Sequence, residues 1–180
     1  MPNAKQIQHL FEQGPGREYQ TLLLDGGEEP LYLPADEICP YHRIYFAHGY
    51  VASALHELAH WCQAGPERRA LLDYGYWYES DQRSTERQAE FESLEAQPQA
   101  IEWYLSQACG KAFDVSADNT AIEIDRVGFR RRVQAAAEAY QARGWPPRAQ
   151  QLARLFCQHF DRPLPTRFTW SEDKLCSNWD

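Results

Sequence analysis

His56-Glu57-Leu58-Ala59-His60 is an HExxH pattern set in an otherwise apolar run. Two histidines four residues apart on a helix share one face, so both imidazoles can reach a single divalent metal ion while Glu57 points into the neighbouring sector. The pattern predicts a metal-dependent enzyme. From Val51 to Cys62, the residues Ala52, Leu55, Ala59 and Cys62 recur at helical spacing, and Leu58 and Trp61 widen the apolar sector until little polar surface remains besides the motif. Gly49 precedes this run and Gly65-Pro66 stops it, which predicts a buried helix. Burying two imidazoles and a carboxylate without partners costs on the order of 2–7 kcal/mol for each group. A metal ion engages all of them; the plainer alternative has the histidines bonded to backbone and Glu57 in a salt bridge.

Such a helix supplies two ligands, and a catalytic site needs at least one more while keeping a position open for water or substrate. The residues after His60 carry no histidine at the metzincin spacing, and the next one is His159. A carboxylate is therefore expected. The richest source is the segment from Phe91 to Trp103, where Glu92, Glu95 and Glu102 are interleaved with apolar residues as on an amphipathic helix. Glu95, just before a break expected at Pro98, is favoured as the third ligand, with Glu92 one turn earlier as its rival. Glu92 and Glu102 otherwise fit contacts behind the ligands or a solvated face. Two histidines, one carboxylate and open positions suit ferrous oxygenase chemistry as well as zinc hydrolysis. In a small zinc metallopeptidase of the gluzincin type, Glu57 would be the general base that deprotonates metal-bound water. A non-enzymatic adaptor with a structural metal would instead have a closed coordination shell.

The elements that must position these groups follow from periodicity and punctuation. A first helix is predicted from Lys5 to Glu12, ended by Gly14-Pro15-Gly16. Leu31–Leu33 and Arg43–Ala47 read as short strands and Tyr74–Tyr78 as a third. After a polar loop around Ser80 to Ser84, helices are predicted at Thr85–Glu95, Pro98–Ala108, Asp125–Ala142 and Pro147–Phe160, with a turn at Gly144-Trp145-Pro146-Pro147. The expectation is an α+β fold: a single helix-dominated domain over residues 1–180 with a small sheet beside the HExxH helix, a zincin-like core.

Composition agrees with an enzyme of the cytoplasm. The 180 residues are 43% hydrophobic and 13% aromatic, enough for one sizeable core. No apolar run is long enough to span a bilayer or to act as a secretion signal, so no membrane partner is expected. The five cysteines form no CxxC pair and leave an odd one over, which fits reduced thiols, with Cys62 in the core. A formal net charge of −8 argues against direct nucleic-acid binding, whose affinity depends on cationic contacts to phosphate.

Other features favour structural roles. His48 reads as a satisfied histidine at a strand end before it reads as a ligand. Tyr74, Tyr76, Trp77 and Tyr78 alternate between core and a possible substrate entrance. Arg130-Arg131-Arg132 reads as a solvated helix face, with docking of an acidic partner as its functional alternative. Asp118-Asn119 reads as a helix cap before an anchor for a ligand.

The sequence also resembles the bacterial elongation factor P hydroxylases. The resemblance lies in Glu29–Asp36, Arg43–Gly49, Ala59-His60-Trp61-Cys62, Gly75-Tyr76-Trp77-Tyr78, Phe91-Glu92 with Glu95 and Pro98-Gln99-Ala100, and Asp125-Arg126-Val127 with Phe129–Val133. These stretches cover most of Glu29–Val133 in order, whereas the stretch before Glu29 and the tail from Cys157 match loosely and carry no transferred site. The resemblance implies hydroxylation of the modified, β-lysylated lysine of elongation factor P, that factor being the protein substrate. It also implies a non-haem metal, Fe(II) by preference, held by His56, His60 and Glu95, with molecular oxygen as co-substrate and a separate electron donor. In that chemistry Glu57 is the catalytic carboxylate that orients a bound water or oxygen, fixes a histidine or guides a proton.

Overall fold

A computed structural model describes residues 1–76, 83–117 and 123–176. The chain is mostly helical with one small sheet, an α+β fold. Helix α1 spans Ala4–Gln13 and starts in a reciprocal capping box between Asn3 and Gln6; its apolar stripe of Ile7, Leu10 and Phe11 is buried. The short α2 (Pro15–Glu18) leads into β1 (Thr21–Gly27), followed by β2 (Leu31–Leu33) and β3 (His42–Ala47).

The sheet has the order β1-β3-β2, with β3 parallel to β1 and antiparallel to β2. Its centre buries Leu23, Tyr32, Ile44 and Phe46. Strand β1 was not expected from sequence. Thr21-Leu22-Leu23-Leu24 lacks the alternation that marks a half-buried strand, and its pairing partner lies about twenty residues downstream, beyond the reach of local pattern.

Helix α3 (Val51–Gln63) carries the HExxH residues and packs against β3. Leu55, Leu58, Ala59, Trp61 and Cys62 are buried, as its all-round apolar pattern predicts. Its carboxyl end is held from another helix: the Arg148 Nη2 donates to Trp61 O at 2.7 Å, to Cys62 O at 3.2 Å and also to Ala64 O, while its guanidinium lies over the Trp61 ring. One cation thus satisfies carbonyls that a helix end leaves without intrahelical donors. The short α4 (Pro66–Arg69) follows.

The third strand expected at Tyr74–Tyr78 is absent over its described part. Leu72–Gly75 is a 3-10 turn, and Asp73, Tyr74 and Gly75 have φ of 45°, 55° and 74° in succession. A side chain in this left-handed region costs about 1–2 kcal/mol, so tertiary contacts must hold the turn. They do: the Tyr32 N–H donates to Asp73 Oδ1 at 2.7 Å, and the Tyr74 ring stacks on Tyr32 with centroids 4.0 Å apart. Trp77 and Tyr78 lie outside the described residues, as do Asp118 and Asn119.

Helix α5 runs unbroken from Thr85 to Cys109, capped by the Ser84 hydroxyl at one end and by left-handed Gly110 at the other. The break expected at Pro98 does not occur. Proline removes one helical hydrogen bond and crowds the preceding turn, but α5 is packed against α3, α6 and α7, and those contacts hold both halves in line. Helices α6 (Arg126–Arg143) and α7 (Pro147–Phe160) lie where periodicity puts them, and α8 spans Glu172–Cys176. Arg130 departs from the solvated face expected of the arginine triplet. It is fully buried, paired through two nitrogens with Asp114 and bonded to Lys174 O. Rings from several elements fill the space nearby: Trp103 stacks on Trp170 and Tyr104 on Trp145, each at 4.2 Å. Among the described residues, no helix is long and apolar enough to cross a membrane.

Candidate metal centre

His56 and His60 stand one turn apart on α3, and α5 crosses close enough to bring Glu95 against both. The His56 and His60 Nε2 atoms are 3.1 Å apart. Glu95 Oε2 lies 3.6 Å from His56 Nε2, and Glu95 Oε1 lies 3.3 Å from His60 Nε2. Ligand atoms that share one ion at about 2.0–2.2 Å sit roughly 3–3.5 Å from each other. The spacing therefore suits a common ion.

The donor chemistry agrees. Glu102, one further turn pair along α5, accepts a hydrogen bond from His56 Nδ1 at 2.9 Å, because a carboxylate can only accept. That bond places the neutral ring's proton on Nδ1 and leaves the Nε2 lone pair facing His60 and Glu95. Lone pairs and a carboxylate converging at these distances repel unless a proton or cation lies between them. His56, His60 and Glu95 are a group able to hold a metal ion among the described residues.

Burial sharpens this electrostatic demand. Glu95 is 1% exposed and Glu57 9%. Burial alone would depress the His56 pKa, but the hydrogen bond and charge of Glu102, together with Glu95 and Glu57, outweigh it and raise the value to about 10. Burial pushes the Glu57 carboxyl above its ordinary value, against the opposing pull of His56 and His60. Both shifts belong to the protein groups alone, and a bound divalent ion would compete with the proton on His56.

Each expected site residue has a definite place. Glu95 joins the two histidines. Glu92 does not: it accepts from Gln88 Nε2 at 3.0 Å and pairs with Arg132. Glu102 is the supporting acceptor described above. His48 is exposed in the turn after β3 with its ring beside Tyr50, and it belongs neither to the group able to hold a metal nor to the lining of the adjoining cavity. Tyr74 and Tyr76 flank His60, with ring centroids at 6.4 and 6.2 Å, and both line a cavity of about 330 Å³ that opens onto the centre.

Asp73, Gln99 and Ser116 also line that cavity and were not anticipated. Gln99 fixes the chain beyond α5, exchanging bonds with Ser116 O at 2.6 Å and Ser116 N at 2.9 Å. Gln99 had appeared only as part of a motif. Asp73 had a local signal, since Asp-Tyr-Gly is turn-forming composition, but nothing local says that the turn folds back onto an HExxH helix.

Comparison with known proteins finds a family model and curated relatives. Residues 10–169 match a family model described as elongation factor P hydroxylase, a longer span than the Glu29–Val133 stretch that carries the resemblance in sequence. A curated protein of Haemophilus influenzae, described as an elongation factor P lysine hydroxylase, is 49% identical over 146 residues, covering 81% of this chain and 82% of that relative.

Proposed function

The chain belongs to the elongation factor P hydroxylase family, and on that premise we propose that it hydroxylates the modified, β-lysylated lysine of elongation factor P at a non-haem metal centre held by His56, His60 and Glu95. The observation that carries this reading is the convergence of those three side chains within 4.8 Å at the inner wall of a cavity. Family membership supports oxidative over hydrolytic chemistry for a ligand set that suits both. Fe(II) is the proposed metal, and when bound it supplies the site at which molecular oxygen is activated with electrons from an external donor. The proposed reaction domain is the whole chain, its proposed setting the cytoplasm and its proposed protein partner elongation factor P.

The protein's own groups have distinct tasks in this scheme. Glu102 fixes the His56 tautomer through its bond to Nδ1. Glu57, buried beside the two histidines and lining the cavity, is the proposed catalytic carboxylate that orients what binds at the centre and guides a proton past it. Tyr74 and Tyr76 narrow the approach past His60. The mixture of polar and apolar wall groups suits a lysine-derived side chain, whose methylene stem and polar ends need both.

Intact-mass analysis of modified elongation factor P after incubation with this protein, iron, oxygen and a reductant tests the reading. A gain of one oxygen atom per substrate is expected. An unchanged mass would refute the proposed activity, and cleavage products would turn the same ligands and Glu57 to a zinc peptidase.

A further inference from the structure

The cavity wall carries an asymmetry of charge. Glu57, Asp73 and Glu95 line it together with the two imidazoles, and no lysine or arginine does among the described residues. A divalent ion answers Glu95. It leaves Glu57 next to the centre and Asp73 on the opposite element, the 3-10 turn.

Asp73 has the chemistry of an anchor. One of its oxygens is fixed by the Tyr32 N–H at 2.7 Å, which orients the carboxylate, and its second oxygen has no protein hydrogen-bond partner among the described residues. The side chain is only partly exposed, so an incoming cation would meet it with much of the surrounding water already excluded. The adjoining Tyr74 supplies an independent sign of a missing ligand. Its phenol is 3% exposed and its hydroxyl has no hydrogen-bond partner among the described residues, although it lines the same cavity. Buried hydroxyls are almost always satisfied, and one left without a partner behind a cavity wall fits a group that a substrate completes as it seats.

We propose that Asp73 is the ammonium anchor of this cavity: its free carboxylate oxygen accepts a charge-assisted hydrogen bond from an amine of the lysine-derived side chain, and this bond decides which substrates are held against the metal centre. Tyr74 contributes the neighbouring polar contact, to an amide or hydroxyl of the same side chain. The proposal deepens the elongation factor P hydroxylase reading and rests on it. Asp73 is a specificity residue, separate from the groups proposed to hold the metal.

Asp73→Asn is a clean probe. Asparagine keeps the oxygen that accepts from Tyr32, tolerates the left-handed backbone at φ 45°, and removes only the charge. Calorimetric titration of the metal-loaded protein without oxygen reads binding apart from turnover, using elongation factor P with its added lysyl amines free or acetylated. Wild type should prefer the free amines, and Asp73→Asn should lose roughly 10–100-fold of that preference, the scale of one charge-assisted hydrogen bond. Under oxygen the same loss should fall on KM more than on kcat, with metal content and thermal midpoint unchanged. Tyr74→Phe should weaken binding of both substrates alike. If wild type adds oxygen to elongation factor P but Asp73→Asn discriminates the two substrates equally well, the anchor is wrong and the functional reading stands. If wild type neither binds nor hydroxylates elongation factor P, the functional reading falls and the anchor falls with it.

Discussion

Two of the regions in which this molecule buries charge resolve it in opposite ways. On the α6 side, Arg130 is enclosed by Asp114, which binds it through two nitrogens, and by Lys174 O, while the Lys174 ammonium also reaches Asp114. Donors and acceptors match there, and the network closes within the protein. Between α3 and α5, Glu57, Glu95 and Glu102 surround two imidazoles with no arginine or lysine in the cavity wall among the described residues. Buried charge of one sign is costly unless a counter-ion compensates it. A balanced network reads as architecture, and an unbalanced one reads as a place for something the chain does not itself provide.

Breaking the balanced region should cost the most stability. Arg130→Ala leaves Asp114 partly buried without its main partner, and a loss of roughly 3–5 kcal/mol is expected by chemical denaturation. Its hydroxylase activity per folded molecule should stay close to wild type, which would separate the two regions.

Acid should reveal the same network more gently. Although burial works against it, the bonds from Arg130 and Lys174 hold Asp114 down to a pKa of about 2, against an ordinary value of 3.8. A lowered folded pKa adds stability above the unfolded value and loses it as pH falls through the folded one. Asp114→Asn should therefore cost about 2 kcal/mol at neutral pH, discounted for partial exposure, and its stability curve should meet that of wild type as pH falls from about 4 to 2. Parallel curves through that window would show that Asp114 is not held as described.

Changes in the unbalanced region should act on chemistry more than on folding. Glu102→Gln keeps an oxygen for His56 Nδ1 but removes its charge, and metal affinity should fall roughly 10–100-fold with little change in thermal midpoint. Glu57→Gln should keep its metal while hydroxylation falls by roughly 10–100-fold. Complete loss of activity at normal metal content would give Glu57 a direct chemical step.

The same contrast marks what sequence could and could not convey. Helix α7 and the HExxH helix were legible because periodicity and proline or glycine punctuation are local signals, and Glu95 was legible as a carboxylate on an amphipathic segment. Strand β1 was not, because its identity depends on pairing with β3 across the intervening chain. Pro98 carried a correct local penalty that packing on three helices overrides. The arginine triplet looked solvated because nothing in residues 130–132 announces Asp114, sixteen residues away, as a buried partner. Tyr74 was misread as the start of a strand because the left-handed pair Asp73-Tyr74 is held by Tyr32, from another element. In each miss the deciding partner is distant in sequence.

The central claim, that the unbalanced cluster is a metal centre closed by Glu95, is tested most directly by measuring metal content in purified wild type and Glu95→Ala after identical loading with Fe(II) under anaerobic conditions, with folding checked by circular dichroism. Wild type should hold one equivalent and the folded variant almost none, because α3 alone supplies only two ligands. Stoichiometric metal in a folded Glu95→Ala protein would contradict the account.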